Sequence, residues 1–525
     1  MNREMDGPHT IGRWLRDRAA SNPSKIAIDD RGVATDYATL ASRAESLASR
    51  LTDAGHGAGG RIVTVSGSSA DHVVAFFACA FLGIAFVPLS WRLTPTEIAE
   101  LIRRSRPGLV LVEDEHVALA ETALRMLDDA PAHGYLGVAG VEAHVPPSRS
   151  PVPVRAVRDD DPLLVIFTSG SEAAPKGVVL THQNCFWTNM ALAQAMPMLP
   201  TDVVLSMLPQ YHVAAWNVQP LLAWWSGATV VLERSFQPGR VLQLISRRRI
   251  TTMMGVPTQY RMLQESAGWA DADLSSLRHV LVGGATMPID TAQSWAARDI
   301  AFTQGYGLTE AGPNVLTLPA AEFAEHPGAV GRPYPSVEVR LVDVETELEL
   351  DGPATGELWV RGPSTFAEYL DDPDATARAR SESWLRTGDL AQRDAAGVYR
   401  IVDRLKEIYV SGGENVAPAE VERAFGAHPL VTAVAVVGAA DPVWGERGVA
   451  FVVTSDAVST DELLAFVRER LAAFKLPARI VFVEELPRST IEKVARSALR
   501  TAAARIMDSG GTAHETVTAS ERRPR

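Results

Sequence analysis

The chain has 525 residues, more than one core commonly holds, so several domains are expected. Hydrophobic residues make up 46% and charged residues 22%, beside 39 Gly and 33 Pro, which excludes a disordered, collagen-like or coiled-coil chain. With 50 Lys and Arg against 63 Asp and Glu the formal charge is -13, so a broad electrostatic grip on nucleic acid is not expected.

From Thr10 to Leu180, strands such as Arg61–Val65, Leu109–Val112 and Leu163–Phe167 alternate with helices such as Tyr37–Ala54 and Thr94–Arg104. That alternation predicts α/β layers with mostly parallel sheet. Val73 to Leu89 is apolar throughout and nearly long enough to cross a bilayer, but Gly83 and Pro88 divide it into a helix and a buried strand, so no membrane span is expected. Cys79 and Cys185 are too few for a disulfide framework or a thiolate zinc site and suit a reducing compartment. The polar stretch Met1 to Arg13 lacks the apolar run of a secretory signal, and a cytoplasmic location is expected.

The alternation continues through Thr229–Leu232, a helix at Pro238–Arg248, Thr252–Gly255 and Val280–Val282, so ligand loops should lie at strand C-termini. After Pro327 come short strands with turns, at Glu338–Val342, Gly356–Arg361 and Val398–Val402, the texture of a β-rich subdomain. A boundary near Asp403 separates residues 1–403 from a compact α+β domain at 404–507. That domain reads helix Ala419–Phe425, strands Val431–Val437 and Val449–Val453, helix Asp461–Ala473, strand Ile480–Val483 and helix Val494–Ala504. Residues 508–525, rich in Ser, Thr, Gly and charge, are expected to be a disordered tail.

Four segments carry candidate chemistry. The apolar strand ending at Phe167 delivers Thr168-Ser169-Gly170-Ser171-Glu172-Ala173-Ala174-Pro175-Lys176-Gly177, whose hydroxyls, backbone N–H groups and lysine suit a polyphosphate. It is no Walker loop, since Pro175 and Gly177 stand where that motif places its second Gly and its Ser or Thr, and a plain surface turn stays open. Gln304-Gly305-Tyr306-Gly307-Leu308-Thr309-Glu310, after a strand at Ile300–Thr303, fails the dinucleotide fingerprint because Glu310 takes the third Gly position. Tyr306 offers a flat face to a base, Thr309 a hydroxyl and Glu310 an oxygen ligand for Mg2+, although a Gly-rich turn with an exposed acid reads equally well. Asp389, in Thr387-Gly388-Asp389, is an acceptor for ribose hydroxyls with Arg404 as a charged donor nearby, or each belongs to a surface ion pair. Lys493, in Ser489-Thr490-Ile491-Glu492-Lys493, is by itself most simply a solvated lysine.

The order of these segments resembles the AMP-forming acyl-CoA synthetases of the adenylate-forming superfamily, which also holds luciferases and nonribosomal peptide adenylation domains. The resemblance spans Ile11 to Ala504. It implies a large N-terminal domain and a mobile C-terminal lid, with ATP and Mg2+ used to adenylate a carboxylic acid and CoA as the acyl acceptor. Thr168, Ser169, Gly170, Ser171 and Lys176 would close on the phosphates. Gly284, Ala285, Gln304, Gly305, Tyr306 and Gly307 would line the nucleotide, with Tyr306 stacked on adenine and Glu310 holding the metal. Thr309 would contact the adenylate phosphate, Asp389 the ribose hydroxyls with Arg404 in support, and Lys493 the carboxylate and α-phosphate in the transition state. Lys406 matches the hinge of the lid. Ser411, Gly412 and Gly413 would border the CoA tunnel. Family members are commonly monomers or dimers.

Pro209 to Asn217, Val256 and Gly283 align with the family's acyl site, with His212 a gate beside the carboxylate and Val213, Trp216 and Asn217 lining it. An inward Trp216 would shorten the pocket and favour short, medium-chain or aromatic acids over long chains, although Trp216, Trp224 and Trp225 read equally well as core packing. Glu172, Ala173 and Glu492 depart from the family pattern, the last replacing a Gly before the catalytic lysine. A rival keeps the adenylation and passes the acyl group to a carrier-protein thiol in trans, an amine or a small inorganic nucleophile in secondary metabolism. A more distant one is a nucleotide-binding homologue without catalysis. A metallohydrolase or serine hydrolase is disfavoured, since His514-Glu515 lacks a second His at the required spacing and no GxSxG elbow occurs.

Overall fold

Strands covered on both faces read as unbroken apolar runs, and Ala85–Leu89 and Leu109–Glu113 are buried at every position. The computed structural model describes residues 6–137, 145–149, 151–152, 154–168, 175–405, 409–416, 418–487 and 496–508. It divides the chain into two compact units, one of Met1–Trp91, Ala99–Phe167 and Gly177–Leu405, the other of Arg92–Ile98, Thr168–Lys176 and Lys406–Arg525.

The first unit holds three sheets. In a nine-stranded sheet, Phe302–Tyr306, His279–Val282, Thr252–Gly255, Val203–Ser206, Thr229–Leu232 and Ile26–Asp30 lie side by side and parallel, with antiparallel strands at both edges. A seven-stranded sheet has a parallel centre of Pro162–Thr168, Ala85–Leu89, Arg61–Val65, Leu109–Glu113 and Ala132–Leu136. The third is an antiparallel sheet built from Glu338–Val342, Ala354–Arg361, Trp384–Arg393 and their neighbours. This is the α/β class with a β-rich subdomain that the sequence predicts.

Local signals set the helices. Asp36 caps Tyr37–Asp53 by accepting from the Thr39 N–H at 2.7 Å, and Tyr37, Leu40, Ala41, Ala44, Leu47, Ala48 and Leu51 form one buried stripe. Each buried Leu on it contributes about 1.5–3 kcal/mol. The apolar run begins as the helix Ala70–Leu82, capped by Ser69 and ended by Gly83 in the left-handed region at φ 64°, and resumes as the strand Ala85–Leu89. That helix is buried on nearly all sides, with Phe76 edge-on to Phe86 of the seven-stranded sheet and Phe77 against Trp224, whose indole N–H donates to Ala27 O in the strand Ile26–Asp30. Among the described residues no helix is long and apolar enough to cross a membrane.

In the second unit the long strands Val431–Asp441 and Gly445–Thr454 alternate between two cores. Val436, Ala450 and Val452 pack with Val421, Phe425, Leu463 and Val467 from the helices Pro418–Gly426 and Thr460–Arg468. Ala435, Val437, Val449 and Phe451 face Leu499 and Ala503 of the helix Arg496–Asp508.

Several boundaries differ from the sequence expectation: the strands expected at Val431–Val437 and Val449–Val453 run on to Asp441 and start at Gly445, and the last helix reaches Asp508. The helix expected to reach Ala473 ends at Arg468, because the chain turns extended at Ala472, ψ 151°, and buries Leu471, Ala472 and Phe474 together. The strand expected at Ile300–Thr303 runs instead from Phe302 to Tyr306, held between Val280–Val282 and Leu316–Leu318. Of the expected tail, residues 509–525 lie outside the described residues.

Candidate active site

In a parallel sheet, the loops leaving the C-terminal ends of the strands gather on one edge. Four consecutive neighbours, Val203–Ser206, Thr252–Gly255, His279–Val282 and Phe302–Tyr306, release Pro209–Asn217, Val256-Pro257, Gly283–Ala285 and Gly307–Glu310 along that edge. The segments therefore converge from positions a hundred residues apart. A Cβ built on Gly284, at φ 78°, would lie 3.4 Å from Val256 Cγ1, and one on Gly283 would lie 3.6 Å from Gly305 O. At Gly307 a Cβ would fall on the Pro313 carbonyl, so that turn requires glycine.

Because Tyr306 belongs to the strand, opposite Leu316, its ring direction is fixed by the sheet. Its hydroxyl donates to Asp389 Oδ2 at 2.6 Å, and Asp389 is only 6% exposed. Asp389 is aimed by a bulge, since Thr387, Gly388 and Asp389 together face Leu358 between the pairs Glu357 with Leu390 and Trp359 with Arg386. Thr387 donates to Leu358 O at 2.6 Å and accepts from the Asp389 N–H at 3.0 Å, while Glu357 accepts from the Gly388 N–H at 3.0 Å. Gly388 is at φ 71°, a conformation that favours glycine. Arg404 is the backbone partner of Asp389 in the next strand, and its side chain lies outside the described residues.

Gln304 plays a different part from the one expected. Its side chain is 1% exposed, accepting from the Met287 N–H at 3.1 Å and donating to Val282 O, Ala285 O and Gly305 O at 3.3, 3.1 and 3.1 Å. These bonds shape the loop that carries Gly284 and Ala285. Thr309 and Glu310 sit on the single turn Thr309–Ala311, ended by Gly312 in the left-handed region. Glu310 O accepts from the Phe366 N–H at 2.8 Å, and Glu310 Oε1 accepts from the Tyr369 hydroxyl at 2.8 Å. A hard carboxylate of this kind is chemically suited to Mg2+, which keeps several waters and takes one or two carboxylates plus substrate phosphates.

The acyl stretch is corrected at two residues. Trp216 is fully buried, stacked on Phe76 at 4.4 Å and 23° and donating from Nε1 to Gln210 O at 2.7 Å. Its volume fills the core, so the expectation that it shortens a pocket loses its basis. Asn217 is also fully buried, accepting from Asn189 at 3.1 Å and donating to Gly312 O at 2.7 Å. It ties the helix Ala214–Asn217 to the end of the Thr309–Ala311 turn. Val213 is 6% exposed, and His212 is half-buried with its ring 4.7 Å from Tyr211.

Sequence reasoning missed His72, Tyr369, Thr387 and Glu357. His72 sits between Thr64 Oγ1 and Gln210 Oε1, both at 2.8 Å, and burial pushes it down to about 4, so its neutral form holds the start of the acyl stretch.

The remaining expected residues fall in the second unit. Thr168 ends its strand with Oγ1 3.5 Å from Lys176 O, and Lys176 begins the next strand. Ser169, Gly170, Ser171, Glu172 and Ala173 lie outside the described residues, as do Lys406, Glu492 and Lys493. Ser411 pairs with Glu414 across a two-residue turn of Gly412 and Gly413 at φ 58° and 83°, the doubly positive geometry that suits a tight hairpin. The Gly412 N–H donates to Trp444 O at 2.8 Å, and Gly412 lies so close to the Trp444 ring that a Cβ would collide with it.

This geometry agrees with the similarity to known proteins. Residues 15–370 match the family model of the AMP-binding enzymes, and residues 420–493 match the AMP-binding enzyme C-terminal domain. A feruloyl-CoA synthase from Amycolatopsis sp is 38% identical over 93% of this chain and 98% of its own length. An indoleacetate–CoA ligase from Aromatoleum aromaticum is 34% identical over 94% and 98%. The solved structure of an amide bond synthetase from Marinactinospora thermotolerans superposes with a TM-score of 0.85 at 30% identity, covering 94% of this chain and 99% of that one. The chain belongs to the AMP-binding enzyme family, the adenylate-forming superfamily of AMP-forming acyl-CoA synthetases.

Proposed function

We propose that this protein activates an aromatic carboxylic acid with ATP and transfers the acyl group to CoA. The observation that carries the nucleotide half is the Tyr306–Asp389 bond, which joins a base platform to a ribose acceptor beside Thr309 and Glu310. The aromatic class is supported by the similarity to the feruloyl-CoA synthase and the indoleacetate–CoA ligase.

In the first half-reaction a carboxylate oxygen attacks the α-phosphorus of ATP, and the bond to pyrophosphate breaks. A carboxylate is a poor electrophile until its oxygen carries such a leaving group, so this step prepares the second. There the CoA sulfur, having given up its proton, attacks the acyl carbon and AMP leaves. Asp389 holds the ribose hydroxyls, Tyr306 the base, and Thr309 donates to the α-phosphate. Lys493 places positive charge where the pentavalent phosphorus forms. Glu310 would hold Mg2+, which would supply positive charge to offset that of the ATP phosphates. Lys406 is the hinge of the lid, and Ser411, Gly412 and Gly413 border the CoA path. His212 gates the carboxylate, with Val213, Val256 and Gly283 around the acyl group.

A second reading, transfer to an amine instead of CoA, is favoured by the likeness to the amide bond synthetase. Pyrophosphate release from ATP, measured across aromatic, short, medium and long-chain acids with and without CoA, tests both. The proposal expects release to be strongest with an aromatic acid, to rise with CoA and to be matched by AMP and thioester. Release that ignores CoA but rises with added amine supports the second reading, and no release with any acid rejects both.

A further inference from the structure

We infer that Tyr369 is a positioning residue that ties the carboxylate of Glu310 to the strand carrying Val178 and Val179, so that the carboxylate rotamer offered to a metal is fixed. The inference rests on the reading of Glu310 as the metal carboxylate.

Three observations meet at the short strand Glu368–Tyr369. First, it pairs antiparallel with Val178 and Val179, two residues beyond the candidate phosphate-binding lysine, Lys176. The backbone bonds Ala367 N–H to Val179 O at 2.9 Å and Leu370 N–H to Gly177 O at 2.7 Å extend that pairing to Gly177. Space is tight there, since a Cβ on Gly177 would lie 3.0 Å from Leu370 Cβ. Second, the same segment grips Glu310 twice, through Phe366 N–H to Glu310 O and Tyr369 Oη to Glu310 Oε1, both at 2.8 Å. Third, Tyr369 is itself fixed, being 9% exposed, with its ring 4.8 Å from Phe366 and its N–H donating to Thr376 Oγ1 at 2.8 Å.

A hydroxyl on a rigid ring, donating to one oxygen of a carboxylate, selects the carboxylate rotamer. A carboxylate has about four lone-pair sites, so the Tyr369 bond does not by itself exhaust its capacity to ligand a cation. Mg2+ tolerates little departure from octahedral geometry, so freeing that rotamer weakens the metal's hold more than it weakens the nucleotide's. The loss of one charge-assisted hydrogen bond corresponds to about a tenfold change in metal affinity.

The test uses the full chain and Mn2+ as a spectroscopic probe, titrated in the presence of a non-hydrolysable ATP analogue and followed by electron paramagnetic resonance. Tyr369→Phe is expected to weaken Mn2+ about tenfold and to raise the Mg2+ concentration for half-maximal pyrophosphate release, while AMP binding in EDTA stays at the wild-type value. Thr376→Val, which loosens the same strand without touching Glu310, is expected to leave Mn2+ affinity within twofold of wild type. Mn2+ affinity unchanged in Tyr369→Phe but reduced in Glu310→Gln overturns this inference alone. Wild-type affinity in Glu310→Gln overturns the inference together with the reading beneath it. Equal weakening by Thr376→Val and Tyr369→Phe assigns the effect to the strand and also overturns the role of the hydroxyl.

Discussion

The proposed nucleotide edge and the proposed acyl stretch draw on loops of the same parallel sheet, yet they treat their polar residues in opposite ways. At the nucleotide edge Tyr306, Asp389 and Glu310 are half-buried or buried side chains held in place by hydroxyl-to-carboxylate bonds. Along the acyl stretch Trp216 and Asn217 are withdrawn into the core, their polar atoms bonded to Gln210 O, Asn189 and Gly312 O. A ligand that never changes can be met by fixed polar groups, whereas a variable acid is read by pocket volume. The first kind of site is carried by residue identity and the second by packing.

Trp216→Ala puts the most pressure on this contrast. If Trp216 serves the core, the variant loses about 3–5 kcal/mol of stability, visible in denaturant or thermal unfolding, with the order of acid preference unchanged. A stable variant that newly accepts long-chain acids would break the comparison and return Trp216 to the pocket.

Lys493→Ala sharpens it from the catalytic side. Adenylation should fall about 10²–10³-fold, while thioester formation from synthetic acyl-adenylate stays near wild type. Asp389→Asn should raise the KM for ATP by about 10–100-fold, the loss of a charge-assisted bond worth about 1.5–3 kcal/mol, across all acids alike. An effect on one acid only would mean that the two regions are not separate.

A further expected effect concerns pH. His72 and His182 are fully buried, and burial holds each at about 4, below the ordinary 6.5. The unfolded chain takes up their protons as pH falls below about 6.5 and the native chain does so only near 4. Their contribution is complete above 6.5 and is lost from there down to about 4. Each accounts for a slope of about 1.4 kcal/mol per pH unit inside that window. His72→Gln should flatten the acid limb of a stability-against-pH curve, with His182→Gln removing a similar share.

Much of this fold is legible because periodicity survives in the chain. Arg61–Val65, Thr229–Leu232, Thr252–Gly255 and Pro238–Arg248 lie where the apolar pattern puts them. Tyr306, Thr309, Glu310 and Asp389 are legible because glycine-rich wording surrounds them. Tyr369 is not, since its partner Glu310 lies 59 positions away and only the pairing of Glu368–Tyr369 with Val178 and Val179 brings them together. The bond from His72 to Gln210 spans 138 positions and is hidden for the same reason. Trp216 shows the opposite difficulty, because a tryptophan in an apolar stretch fits a core and a pocket wall equally until its stacking on Phe76 is known.

The proposed function turns on attack of a carboxylate oxygen on the α-phosphorus of ATP. Running the reaction with an aromatic acid labelled with 18O in its carboxylate, with CoA present, tests it directly through the mass of the nucleotide product. One labelled oxygen is expected in AMP for each thioester formed, with unlabelled pyrophosphate. Label in inorganic phosphate with ADP as the nucleotide product, or thioester formed without labelled AMP, would contradict it.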